Sequence, residues 1–198
     1  MSQEKTRSIP IDFPPLAVIA DDLTGSCDTA AQFSRYGITV AVTSHSGLEQ
    51  DLPVNLVVVN TASRGLSKEK AREIVYRSAL RLLQQGRRPF YKKIDSTLKG
   101  HWCAEISSVM GLTEPGMVIV APAFPTWGRT IQNGILHLDG QRVVIKSITN
   151  SQSLGADLTD GTNLLGSLQA EFGSQVELMS REVFCHNPLE TGKYIQRL

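Results

Sequence analysis

Asp21 and Asp22 stand side by side directly after the apolar run LAVIA at 16–20, with Thr24 and Gly25 close behind. Two adjacent carboxylates and a hydroxyl at the end of such a run can hold a divalent cation, bind sugar hydroxyls or supply a general base. The plainer alternative is that one of these side chains, Asp22 or Thr24, only caps the following helix. Aspartyl-phosphatase chemistry through a DxDxT motif is excluded, because Ala20 occupies the position two before Asp22. A second cluster, Thr61-Ala62-Ser63-Arg64, closes the run NLVVVN. A guanidinium there suits a carboxylate or phosphate through two parallel hydrogen bonds, the alternative being a lone surface arginine.

The third cluster is Lys92-Lys93-Ile94-Asp95-Ser96-Thr97-Leu98-Lys99-Gly100. Neighbours in a strand face opposite sides, so Lys92 and Lys93 cannot share a layer. One of them is expected to reach the ligand edge. A lysine near a buried strand needs a counter-charge, which Asp95 or the Asp21–Asp22 pair can supply. Ser96 and Thr97 add hydroxyls at a helix start, where anions are favoured. An exposed edge strand with a capping serine is the alternative. The fourth cluster, PAFPTWGR at 122–129, is stiffened by two prolines. Phe124 and Trp127 there can form an apolar wall and Arg129 an anion contact, unless the segment is only a rigid connector.

Elements must position these clusters. Apolar runs predict strands at 16–20, 38–43, 55–60, 89–94 and 116–121. Between them lie helical patterns: one after Asp22, one capped by Ser67 and stopped by Gly86, and one over 101–110. The second helix carries Ala71, Ile74, Val75, Ala79, Leu82 and Leu83 on one stripe. This alternation predicts an α/β fold: a mostly parallel sheet with helices on both faces. Its polar turns gather at the carboxyl edge, where such sheets bind ligands. Asp139-Gly140 between ILHL and QRVVI predicts a β-hairpin near 135–145. A loop is expected over 146–161, a helix over 162–172 and a short strand over 176–179. The domain reading is a flexible lead-in at 1–15, one α/β domain at 16–182, and a tail or linker at 183–198.

The 198 residues carry 20 Lys and Arg against 19 Asp and Glu, and this near-neutral balance argues against nucleic acid or an acidic membrane as partner. No apolar run reaches membrane-span length. Cys27, Cys103 and Cys185 form no CxxC pair, so reduced thiols in a cytoplasmic protein are expected. His45, His101, His137 and His186 show no metal-ligand spacing, and neither a Walker P-loop nor GxGxxG occurs.

ADDLTGSCDTA, NTASR, KKIDSTLKG and APAFPTWGRTIQNGILHLDG, in this order over about 17–140, resemble the N-terminal domain of the four-carbon acid sugar kinases, formerly a domain of unknown function. The resemblance implies phosphorylation of threonate, erythronate or an oxo-tetronate with ATP and Mg2+. The N-terminal domain would hold the small-molecule sugar acid, and a C-terminal domain with a Gly-rich loop would hold the nucleotide. It further implies that Arg64 and one of Lys92 or Lys93 anchor the carboxylate. Asp22, or less readily Asp21, orients the reacting hydroxyl and takes its proton, while Asp95, Ser96 and Thr97 bind other hydroxyls. Lys99 stands where family members often carry Arg, keeping the charge without the planar fork. The nucleotide domain is not in this sequence, so an excised domain, a truncated product or half of a split enzyme is expected, inactive alone. Pairing with a separate nucleotide-binding domain, or a homodimer, is the expected assembly. The alternative is a non-catalytic sugar-acid-binding module or a relic that docks on another protein.

Overall fold

The structure, a computed structural model, describes residues 15–49, 52–143, 163–179 and 192. Its first half alternates strand and helix: β1 (Leu16–Ala20), α1 (Leu23–Ser34), β2 (Val40–Ser44), β3 (Leu56–Asn60), α2 (Lys68–Gln84), β4 (Arg88–Lys93) and α3 (Trp102–Thr113). The four strands form one parallel sheet in the order β2-β3-β1-β4. The strand period of two sorts their apolar residues onto two faces. Val18 and Val58 pack with Ala30 of α1 on one face. Ala17, Ile19, Val57 and Val59 pack with Val75, Ala79 and Leu82 of α2 on the other. Covering both faces is what lets β1 and all of β3 but Asn60 be apolar, each Val, Leu or Ile side chain contributing about 1.5–3 kcal/mol when fully buried.

Helix ends follow local chemistry. Asp22 caps α1, accepting from the Gly25 amide at 2.8 Å. Ser67 caps α2 through a longer 3.4 Å bond from the Lys70 amide. Gly86, at φ +72°, takes the left-handed turn that ends α2.

A second core lies beyond the sheet. Strands β5 (Arg129–Gln132), β6 (Ile135–Leu138) and β7 (Gln141–Arg142) form an antiparallel meander, and α4 (Leu164–Phe172) follows. Leu136 of β6 packs with Leu98, with Trp102 and Ile106 of α3, and with Leu164 and Leu168 of α4. The expected hairpin is present, turning at Asp139 and Gly140, both with positive φ.

Two expected strands are corrected. Residues 116–121 form no strand. Met117, Val118 and Ile119 stay 40%, 40% and 57% exposed, so no layer covers them among the described residues, while Val120 turns into the second core. Residues 176–179 likewise form none. Val176 packs against the second core beside α4. The expected loop at 146–161, all but the last residue of the lead-in at 1–15 and nearly all of the 183–198 tail lie outside the described residues.

Candidate functional site

Strands β3, β1 and β4 are neighbours, and their last residues are in register: Ala20 pairs with Asn60 on one side and Lys93 on the other. The polar clusters that follow these strands therefore emerge together. From β1 and β3 the chain departs to opposite faces, α1 to one and α2 to the other. Adjacent strands that part in this way open a crevice at the carboxyl edge.

Arg64 is the centre of the cluster. Its Nε donates to Asp21 Oδ2 at 2.8 Å and its Nη2 to Asp21 Oδ1 at 3.2 Å, a fork-on-fork pair. Nη1 lies 2.8 Å from Asp22 Oδ2, and Nη2 lies 3.8 Å from Asp95 Oδ1. One guanidinium thus gathers carboxylates from the ends of two strands. Burial by itself would lower the Arg64 pKa, but Asp21 first, then Asp95 and Asp22, outweigh it and hold the group above its usual value. Gly100, at φ +86°, lies against Arg64: a Cβ there would meet Arg64 Cα and Cγ at 3.4 Å each.

Asp22 serves two partners at once. Oδ1 holds the Gly25 amide while Oδ2 faces Arg64. The capping alternative is therefore true of Asp22, and the carboxylate is still 27% exposed. Thr24 is exposed on the first turn of α1.

Alternation along β4 separates the two lysines as expected. Lys93 runs toward α1, where a Cβ on Gly25 would lie 3.3 Å from its Cγ, and its Nζ donates to Ile94 O at 2.6 Å. Lys92 shares its face with Ile19 and points to α3. Its Nζ sits 2.6 Å from Glu105 Oε2, with the lysine 7% and the glutamate 1% exposed. This corrects the expected counter-charge for the buried lysine, which is neither Asp95 nor the Asp21–Asp22 pair. An acid three residues after Trp102, on the apolar stripe it shares with Ile106, was the legible signal, since a buried charge demands a partner.

Asp95 is fixed by its own loop. Its Oδ2 accepts from the Thr97 hydroxyl, from the Thr97 amide at 3.2 Å and from the Lys99 amide at 3.3 Å. Burial would raise the Asp95 pKa, but Thr97, Arg64 and the two amides overcome it and hold the carboxyl below its ordinary value. Ser96 accepts from Arg129 Nη1 at 2.9 Å, which brings the start of the meander to the same edge. Arg129 also lies 5.9 Å from the ring centre of Trp127, and Trp127 and Phe124 remain 66% and 46% exposed. Asp21, Asp22, Arg64, Lys93, Asp95, Ser96, Thr97 and Arg129 therefore meet along one edge. Lys92 lies behind it.

A divalent cation does not fit these residues. Among the described residues no cluster of three His, Cys, Asp or Glu is arranged for a metal ion. The three acids that do converge surround a guanidinium, which repels a cation.

The fold and this edge define an α/β small-ligand-binding domain. The family of sugar-binding N-terminal domains matches over residues 16–194, and the chain belongs to it. It is 34% identical over 185 residues to a D-threonate kinase of Bordetella bronchiseptica, covering 89% of this chain and 45% of the relative. It is 34% identical over 127 residues to a D-erythronate kinase of Heliobacterium modesticaldum, covering 61% of this chain and 28% of that one. A crystal structure from Bordetella bronchiseptica, described as a domain of unknown function with bound citrate in a domain-swapped dimer, aligns with TM-score 0.66 and 32% identity over 78% of this chain and 40% of that one. The chain spans less than half the length of these relatives.

Proposed function

We propose that this chain is the sugar-acid-binding part of an ATP-dependent kinase for a four-carbon sugar acid of the threonate, erythronate or oxo-tetronate type. The observation that carries the reading is the meeting of Asp21, Asp22, Arg64, Lys93 and Asp95 at the ends of three adjacent strands. Polyhydroxy acids need both hydrogen-bond acceptors and a cation, and this edge offers both. Asp22, held by the helix cap and by Arg64, orients the reacting hydroxyl and accepts its proton. Asp95, Ser96 and Thr97 bind further hydroxyls. Arg64 is already surrounded by carboxylates, so Lys93 and Arg129 are better placed to meet the substrate carboxylate, and Lys92 is tied to Glu105.

ATP and Mg2+ would be held by a separate nucleotide-binding part, and they supply the phosphoryl group and its charge neutralisation. This chain contributes orientation of the acceptor and removal of its proton. It is inactive alone. The exposed apolar side chains of Met117, Val118 and Ile119, and of Phe90 and Tyr91 on β4, support a reading in which another unit covers them.

Calorimetry with D-threonate and D-erythronate tests the binding. Absence of heat with either acid rejects the reading. Binding with no turnover, even when a relative's nucleotide-binding half and ATP are added, leaves a non-catalytic binding module.

A further inference from the structure

Behind the edge lies a buried polar chain that the proposed chemistry does not use. Glu105 Oε2 meets Lys92 Nζ at 2.6 Å, and Glu105 Oε1 accepts from Ser63 Oγ at 2.7 Å. Ser63 Oγ lies 2.8 Å from Thr61 Oγ1, which lies 2.8 Å from Ala20 O. Lys92 Nζ also donates to Lys93 O at 3.0 Å. Thr61, Ser63 and Glu105 are all buried.

Proton counting fixes the direction of this chain. An ionised Glu105 can only accept, so Ser63 must donate to it. Ser63 has one proton, so toward Thr61 it can only accept, and the single Thr61 hydroxyl proton also has Ala20 O as an acceptor at 2.8 Å. Ala20 O keeps the Thr61 amide as its donor, at 2.9 Å. The lysine charge, the glutamate charge and the Ser63 hydroxyl therefore tie α3 to the ends of β3 and β4.

The attachment points give the chain its meaning. Lys92 is the penultimate residue of β4, Thr61 and Ser63 follow β3, and Ala20 ends β1. Lys92, Ser63 and Ala20 each lie one residue from a group at the edge: Lys93, Arg64 and Asp21. We propose that Glu105 is a positioning residue for this site. From α3 it holds the three strand ends in one geometry, keeps Lys92 away from the ligand, and through Ser63 sets the backbone from which Arg64 reaches Asp21. The link to a sugar acid rests on the reading given under Proposed function; the link to Arg64 does not.

The experiment uses the 198-residue chain with two readouts. The first is the proton-exchange rate of the Arg64 Nε–H, followed by nitrogen-15 NMR, which is slow while Asp21 holds it. The second is the affinity for D-threonate by calorimetry. In Glu105→Gln the amide oxygen can still accept from Ser63, but Lys92 loses its counter-charge. Exchange at Arg64 is expected to rise about tenfold and affinity to fall about tenfold, the size of one lost bond to a charged group. Adding Lys92→Met to Glu105→Gln removes the stranded charge and is expected to restore both, which a merely destabilised fold would not do. Ser63→Ala, a smaller change that carries the test where Glu105→Gln does not fold, is expected to raise the Arg64 exchange. Ser108→Ala, on the same helix with its hydroxyl donating to Ala104 O, is expected to change neither. Unchanged Arg64 exchange in folded Glu105→Gln or Ser63→Ala overturns the proposal. If the unmodified chain binds no sugar acid but the exchange rates behave as stated, the positioning role stands and the sugar-acid reading falls.

Discussion

Arg64 reaches back across the carboxyl edge of the sheet to grip Asp21, with 2.8 Å from Nε to Oδ2 and 3.2 Å from Nη2 to Oδ1. Asp21 is 3% exposed, so this pair is its protection against being a lone buried charge. Arg64→Ala is expected to cost about 2–3 kcal/mol, below the range for fully buried pairs because Arg64 itself is partly open to water. Arg64→Lys should recover only part of this, since an ammonium cannot make the paired contact. Urea unfolding of the three proteins measures both effects; equal stability for all three would contradict the pairing.

Asp22→Asn separates the two duties of that residue. Asparagine caps helices about as well as aspartate, so the chain should stay folded within about 1 kcal/mol of the original. Proton acceptance is lost. With a nucleotide-binding half supplied, turnover should fall on the order of a hundredfold or more while sugar-acid binding persists. Steady-state rates beside calorimetry decide it, and unchanged turnover would remove Asp22 as the base.

Gly100 holds a backbone conformation that side chains disfavour. Its φ is +86°, and a Cβ would stand in contact with Arg64 at 3.4 Å. Gly100→Ala is expected to cost about 1–2 kcal/mol and to loosen the Arg64–Asp21 pair. The thermal midpoint reads the first effect and Arg64 Nε–H exchange the second.

Asp95 makes stability depend on acid. Its folded pKa lies below the ordinary value of 3.8, so its contribution is complete above that pH. The contribution is lost as pH falls through the lower, folded value. Asp95→Asn should therefore flatten the loss of stability below about pH 4, while lowering stability at neutral pH, where the Arg64 contact is missing. Unfolding midpoints measured against pH test this, and parallel curves for the two proteins would be the wrong outcome.

The thiols should react unequally. Burial first, then the Glu171 carboxylate, push Cys103 up to about 12, against a smaller opposing effect of Lys68. Cys27 is exposed on α1. Iodoacetamide at mildly alkaline pH should modify Cys27 well before Cys103, because the thiolate is the reacting form. Peptide mass spectrometry gives the order of modification.

Much of this molecule is written locally. The unbroken apolar runs in LAVIA and NLVVVN mark strands buried on both faces, and small or apolar residues at helical spacing mark α1 and α2. Asp-Gly marks the hairpin, and the four motifs mark the family. Such features depend on neighbours in the chain, which a sequence displays directly. What a charge faces does not. That Lys92 meets Glu105 rather than Asp95, and that Arg64 gathers Asp21, Asp22 and Asp95, follows from the strand order and from where α3 crosses the sheet. Residues 116–121 show the same limit from the other side. Their apolar run reads as a buried strand, but only a covering layer makes it one, and among the described residues Met117, Val118 and Ile119 have none.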